Sequence, residues 1–221
     1  MSGSTGGTGT KTDGRVERGN QTRRLVLGRT MDIASVEGLD GLSLGRIATE
    51  LSLSKSGVFA LFGSKEELQL ATVRAAVSVF SHRVVTPLRD VPPGIVRVRE
   101  LCGNWLAYSS ERVFAGGCFF YAVSAEFDAR TGPVHDAVAG ARHDWAVYVE
   151  RTLSEACATG ELVADLDAEQ VAFEVIALME AANAHSVLFD DPRAYDRAER
   201  GITARLRAVA TDRGREALDA A

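Results

Sequence analysis

Residues 43–68, SLGRIATELSLSKSGVFALFGSKEEL, constrain the fold more than any other stretch, because three helix starts crowd into one short segment. Ser43 is placed as an N-cap, and Leu44, Ile47, Ala48 and Leu51 then share one face at three- and four-residue spacing. A small residue at Ala48 lets a second helix cross the first closely, as a helix-turn-helix requires. Ser52-Leu53 makes the turn, and Ser54 caps a second helix with Val58 and Phe62 on its inner face. Its outer face, Ser54, Lys55, Ser56 and Gly57, is short, polar and singly basic, as suits a helix that enters the major groove. Gly63 ends that helix, and Ser64-Lys65-Glu66-Glu67 is a capping box that starts the next.

These residues resemble the DNA-binding domain of the TetR (tetracycline-repressor-like) transcriptional regulators over roughly residues 22–70. The shared elements are Gly38, Ile47-Ala48, Ser54-Lys55, Phe59, Phe62 and the box Ser64-Lys65-Glu66-Glu67-Leu68. Three positions depart from the family pattern: Ser52 stands at a usual glycine, Phe59 at a usual tyrosine and Leu61 at a common histidine. The candidate DNA-binding set is Ser43, Arg46, Ser54, Lys55, Ser56, Gly57, Phe59 and Lys65, with Lys55 nearest base edges and Lys65 on phosphate. The resemblance implies a regulator, more commonly a repressor, that binds a palindromic operator as a homodimer and is released by a small effector.

Charge is distributed accordingly. Residues 1–65 hold 9 Lys/Arg against 6 Asp/Glu, a balance of +3, whereas residues 66–221 hold 16 against 24, a balance of −8. A mildly basic head on an acidic body fits a protein that touches phosphates at one end. Cys102, Cys118 and Cys157 are widely spaced and odd in number, which disfavours a disulfide framework or zinc site and suits buried thiols in a reducing cytoplasm. The N-terminus lacks the apolar core of a signal peptide, and Glu174 and Glu180 interrupt the most apolar late segment. A cytoplasmic location is the expectation.

The pattern predicts an all-α chain of about nine helices. A Gly/Ser/Thr-rich stretch at 1–19 reads as a disordered leader, followed by a helix-turn-helix domain at 20–68. A ligand-binding and dimerisation domain at 69–212 and a tail at 213–221 complete it. Arg15, Arg18, Arg23 and Arg24 read first as a solvated leader, with an arm reaching for DNA phosphates as the alternative. The first helix should bury Val26, Ile33 and Val36. The helix over residues 168–189 is apolar on two adjacent faces and so needs cover on both sides. Its row Val171, Val175, Leu178 and Ala182, with Tyr195, Ala198, Ile202 and Leu206 of the last helix, is the candidate dimer interface, the family supplying the twin helices that would cover it.

Chemistry-bearing patterns are few. His82, His135, His143 and His185 share no metal-ligand spacing, and no phosphate loop, nucleophile elbow or zincin motif is present, so neither catalysis, metal nor cofactor is expected. Aromatic residues concentrate in the larger domain, and Trp105, Tyr108, Phe119, Trp145, Tyr148, Phe173 and Met179 are the candidate ligand-binding set for an apolar or aromatic effector. The helix from Ser64 to about Val85 is the element expected to couple the two sites. The competing reading is a helical carrier or enzyme in which the helix-turn-helix is a coincidental bundle corner.

Overall fold

The computed structural model describes residues 9–220, with side chains described from residue 16 onward. Three helices form the head: α1 (Gly9–Glu37), α2 (Leu44–Glu50) and α3 (Lys55–Phe62). From the head, α4 (Lys65–Phe80) runs into the body and continues through a π-helical turn (Ser81–Val85) and a 3-10 turn (Thr86–Leu88). The body contains α5 (Ile95–Ser110), α6 (Phe119–Phe127), α7 (Pro133–Ala158), α8 (Ala168–Phe189), α9 (Arg193–Val209) and α10 (Asp212–Ala220). Among the described residues β pairing is limited to two isolated bridges, Phe114 with Gly117 and Leu162 with Ala210. The all-α expectation holds.

The helix starts follow their caps. Ser43 Oγ accepts from the Arg46 amide at 3.1 Å, Ser54 Oγ from Gly57 at 3.0 Å, Ser64 Oγ from Glu67 at 3.1 Å and Asp167 Oδ1 from Gln170 at 2.9 Å. Each bond satisfies an amide that the helix itself leaves without an acceptor, a contribution of about 1 kcal/mol. Between α2 and α3 the packing residues Ile47, Ala48, Val58 and Phe62 are all buried. The turn puts Ser52 at φ 54°, a left-handed conformation that glycine adopts without strain and serine does not.

Two boundary expectations and one burial expectation change. Helix α1 begins at Gly9, so residues 9–19 are not the irregular leader that their composition suggests; residues 1–8 lie outside the described residues. Propagating an existing helix costs far less than nucleating one, which lets a polar, glycine-containing stretch follow it. On α1, Val36 points to solvent, and Thr30 and Ala34 join Val26 and Ile33 inside. At the other end, residues 212–220 form α10 rather than a tail, anchored by the buried Leu218 and by Arg99 Nη1, which donates to the Leu218 carbonyl at 3.1 Å. One apolar anchor is too little periodicity to announce a helix.

The centre of the body is α8. It is long and apolar enough to cross a membrane by composition, yet Val171, Val175, Met179 and Ala182 are buried against neighbouring helices of the bundle. Fully burying a side chain such as Val175 contributes about 1.5–3 kcal/mol. Across the α5–α8–α9 seam runs a buried polar network. The Tyr195 hydroxyl lies 2.9 Å from Ser109 Oγ and 2.8 Å from both Ser186 Oγ and Arg112 Nη1, and Ser109 Oγ donates to Asn183 Oδ1 at 2.8 Å.

Candidate functional site

The outer face of α3 is built from its own cap. Ser54 holds the first turn, and Lys55, Ser56, Gly57 and Phe59 project into solvent beyond it, Phe59 being 58% exposed. Lys55 has no ion-pair partner among the described residues, so its charge is available to an external anion. The other two cations of the expected set are committed. Arg46 Nη1 and Nη2 reach the Glu37 carboxylate at 2.5 and 2.7 Å, its Nε reaches Glu50 at 2.7 Å, and Arg29 holds the same Glu50 at 2.6 Å. These hydrogen bonds hold Glu37 and Glu50 below the usual carboxylate range and raise Arg46 further above its own. Arg46 ties α2 to α1, its guanidinium paired rather than free. Its i,i+4 carboxylate was visible in the sequence; Glu37, on another helix, was not. Among the arginines expected in a leader, Arg23 Nη1 donates to the Leu61 carbonyl at 2.8 Å and its guanidinium lies 4.5 Å from the Phe62 ring. Arg23 is a strut within the head.

Lys65 is committed to the seam between head and body. Its ammonium donates to the Asp40 carbonyl at 2.8 Å and lies 3.5 Å from Asp40 Oδ1. Nearby, Gln69 Nε2 donates to the Leu39 carbonyl at 3.0 Å. From α6, the Glu126 carboxylate accepts the Leu39 and Asp40 amides at 2.6 and 2.7 Å. Side chains of α4 and α6 thus satisfy all four backbone polar groups of Leu39–Asp40. Arg130 adds a 2.5 Å bond to Asp40 Oδ2, and with Lys65 it lowers the Asp40 carboxyl below its ordinary range. Gly38 at φ 79° makes the turn, and a Cβ there would collide with the Glu126 carboxylate. At Gly116, in the α5–α6 connection, a Cβ would overlap the Ser35 carbonyl of α1, so only glycine permits this second approach to the head.

A cavity of about 260 Å³ opens among α4, the π-helical turn, α5, α6, α7 and α8. Phe80, Trp105, Phe120, Trp145 and Tyr148 supply aromatic wall, and Val77, Val85, Ala141 and Cys118 supply further apolar lining. Phe80 meets Trp145 and Phe120 edge-on at 5.1 and 5.9 Å between ring centres. Three charged residues, Arg142, Asp144 and Glu180, complete the lining, with Arg142 Nη1 bonded to Glu180 Oε1 at 2.7 Å. The Cys118 thiol is pushed up to about 11 by burial, so at neutral pH it is a protonated apolar surface. The π-helical turn widens α4 where Ser81 and Val85 line this space.

Only Trp105, Trp145 and Tyr148 of the seven expected ligand residues line this cavity. Tyr108 lies behind it, buried, with its ring edge-on to Phe80 and its hydroxyl accepting the Phe119 amide at 3.3 Å; burial raises its pKa well above the ordinary value. Phe119 and Met179 are wholly buried core residues, and Phe173 is 71% exposed on α8, lining a neighbouring groove between α7 and α8 instead. Phe80, Phe120 and the charged trio were missed. Phe120 and Phe119 are adjacent in sequence and differ only in rotation about α6, which periodicity alone does not orient.

Residues 94–202 match the family profile described as "Tetracyclin repressor-like, C-terminal domain". Those residues belong to the tetracyclin-repressor-like family. No curated protein sequence matches the chain. Among solved structures, a TetR transcriptional regulator from Chloroflexus aurantiacus superposes with a TM-score of 0.81 at 22% identity, covering 88% of this chain and 98% of its own. A transcriptional regulator from Saccharomonospora viridis in complex with choline gives 0.74 at 18% identity, with coverages of 87% and 99%. AibR in complex with isovaleryl coenzyme A and operator DNA gives 0.64 at 17% identity, with coverages of 81% and 95%. The TetR fold therefore extends over head and body together.

Within this TetR-like body the expected dimer row is displaced. Val171, Val175, Ala182, Tyr195, Ala198, Ile202 and Leu206 are all buried inside one chain, and Leu178 alone is partly exposed. They pack α8 on α9 and on α5, with Ala182 and Ala198 also lining a surface groove beside Leu178. The surface left over on α8 carries Phe173, Ala177, Ala181 and Leu188, with Phe189 at its end. Both rows of α8 are apolar, and the sequence does not say which of them turns inward.

Proposed function

We propose that this chain is a ligand-responsive transcriptional regulator, acting as a repressor that binds a palindromic operator through α3 and lets go when a small effector fills the body cavity. The observation that carries the reading is that the cavity walls are also the elements that hold the head. Phe120 lines the cavity on α6, and Glu126, further along the same helix, grips Leu39 and Asp40. Val77 and Phe80 do the same on α4, whose other end carries Lys65 and Gln69. Occupancy that moves α6 or α4 must therefore disturb the head. Solved relatives of this fold hold choline in one case and isovaleryl coenzyme A with operator DNA in another, which supports both halves of the reading.

The uncovered face of α8 supports dimerisation. Phe173, Ala177, Ala181 and Leu188 form a stripe that a second copy would cover, with Gly201, Ala204 and Ala208 of α9 beside it where helices can approach closely. Two heads held by one bundle set the operator half-sites about one helical turn, or a multiple of it, apart. A gel shift on the DNA upstream of the protein's own gene, with and without candidate effectors, tests the whole reading. Retardation that the effector abolishes is expected. A protein that binds ligand and shifts no DNA would leave the carrier or enzyme reading in its place.

A further inference from the structure

The chemistry of the cavity lining selects among ligand classes. Five aromatic side chains, Phe80, Trp105, Phe120, Trp145 and Tyr148, enclose it. Aromatic ring faces carry negative electrostatic potential and attract cations, with tryptophan the strongest. The formal charges of the lining are Arg142 at +1 against Asp144 and Glu180 at −1 each, which leaves a balance of −1. Arg142 is already neutralised by Glu180 at 2.7 Å. Asp144 has no ion-pair partner among the described residues, so the uncompensated charge of the site is negative. The same attraction occurs nearby within the chain: the Arg151 guanidinium lies 4.9 Å from the Tyr148 ring centre. Arg151 does not line the cavity and is itself 3.7 Å from Glu155.

We infer that the cavity takes a compact organic cation, an ammonium carrying apolar substituents. The inference rests on the cavity being the effector site. An anion would face the Asp144 carboxylate and would have to displace Glu180 from Arg142. A neutral apolar molecule would gain the aromatic contacts and leave the negative charge without a counter-ion. Size matches a small ligand, because about 260 Å³ lies just below the range of about 300–1,000 Å³ that drug-sized molecules occupy.

The chain has two tryptophans, Trp105 and Trp145, and both line the cavity, so intrinsic emission reports occupancy directly. Three probes of one shape separate the charge types: benzyltrimethylammonium, its neutral isostere neopentylbenzene, and the anion phenylmethanesulfonate. The ammonium is expected to change tryptophan emission with an affinity at least about tenfold above that of the neutral isostere, and the sulfonate to bind weakest. Asp144→Asn, on the exposed rim, should remove about tenfold from the ammonium and leave neopentylbenzene unchanged. Glu180→Gln should weaken the ammonium likewise and strengthen the sulfonate, because it frees Arg142. Neutral or anionic probes binding as tightly as the ammonium would overturn the cation inference and leave the cavity as an effector site. Undiminished ammonium affinity in both folded variants would overturn it as well. Emission indifferent to all three probes would remove the cavity itself as a small-molecule site.

Discussion

The exposed face of α3 and the exposed face of α8 are both single helical surfaces turned to solvent, and they are chemically opposite. On α3 the outward residues are Ser54, Lys55, Ser56 and Gly57, small and polar, with one aromatic ring at Phe59. On α8 they are Phe173 and Leu188, 71% and 76% exposed, with Ala177 and Ala181 between them. Burying the first face against a protein would strand hydroxyls and an ammonium, whereas phosphates and base edges satisfy them. Leaving the second face in water forgoes its hydrophobic stabilisation, and another apolar surface recovers it. The contrast suits the two helices to different classes of partner.

The largest effect should come from inverting the second face. Phe173→Asp together with Leu188→Asp is expected to weaken self-association by at least about a hundredfold in sedimentation, with the helical circular dichroism of the chain retained. Unchanged association would move the dimer contact away from α8. Next, Glu126→Ala asks whether the two surfaces belong to one mechanical unit. It strips the Leu39 and Asp40 amides of their acceptor and should destabilise the docked head by about 2 kcal/mol in chemical denaturation. The same variant should blunt any effector response measured by gel shift.

Lys55→Ala probes the first face. Operator affinity should fall about tenfold and the salt dependence should flatten by about one unit of slope. Lys65→Ala should instead act through stability, since its ammonium is held by Asp40. The smallest effect is a gain. Ser52→Gly relieves a left-handed serine and is expected to stabilise the head by about 1 kcal/mol, read as a raised Tm.

How far the sequence was legible follows from the range of each interaction. Ser43, Ser54, Ser64 and Asp167 were readable as caps because a cap bonds an amide three residues away, and all four make that bond. The helix-turn-helix followed, since Ile47, Ala48, Val58 and Phe62 face each other across one short turn. The pairing of Arg46 was not legible because Glu37, one of its two partners, lies on the preceding helix and no local spacing forecasts that contact. The cavity was legible only in part. Trp105, Trp145 and Tyr148 could be picked out as large aromatics, but whether α6 presents Phe119 or Phe120 depends on how that helix is rolled against α1 and α7. The burial of the expected dimer row was illegible for the same reason, as α8 offers two apolar faces and tertiary packing chooses between them.

The bonds from Glu126 also make a clock. An amide exchanges its proton with solvent only when its hydrogen bond opens, and the Leu39 and Asp40 amides are bonded to a different helix rather than to their own. Their exchange rates therefore time the excursions in which head and body part, independently of fraying within α1 or α2. Amides such as that of Leu53, bonded to the Ala48 carbonyl inside the head, supply the reference for opening of the head alone. A ligand that loosens the seam would quicken Leu39 and Asp40 while leaving Leu53 at its own pace.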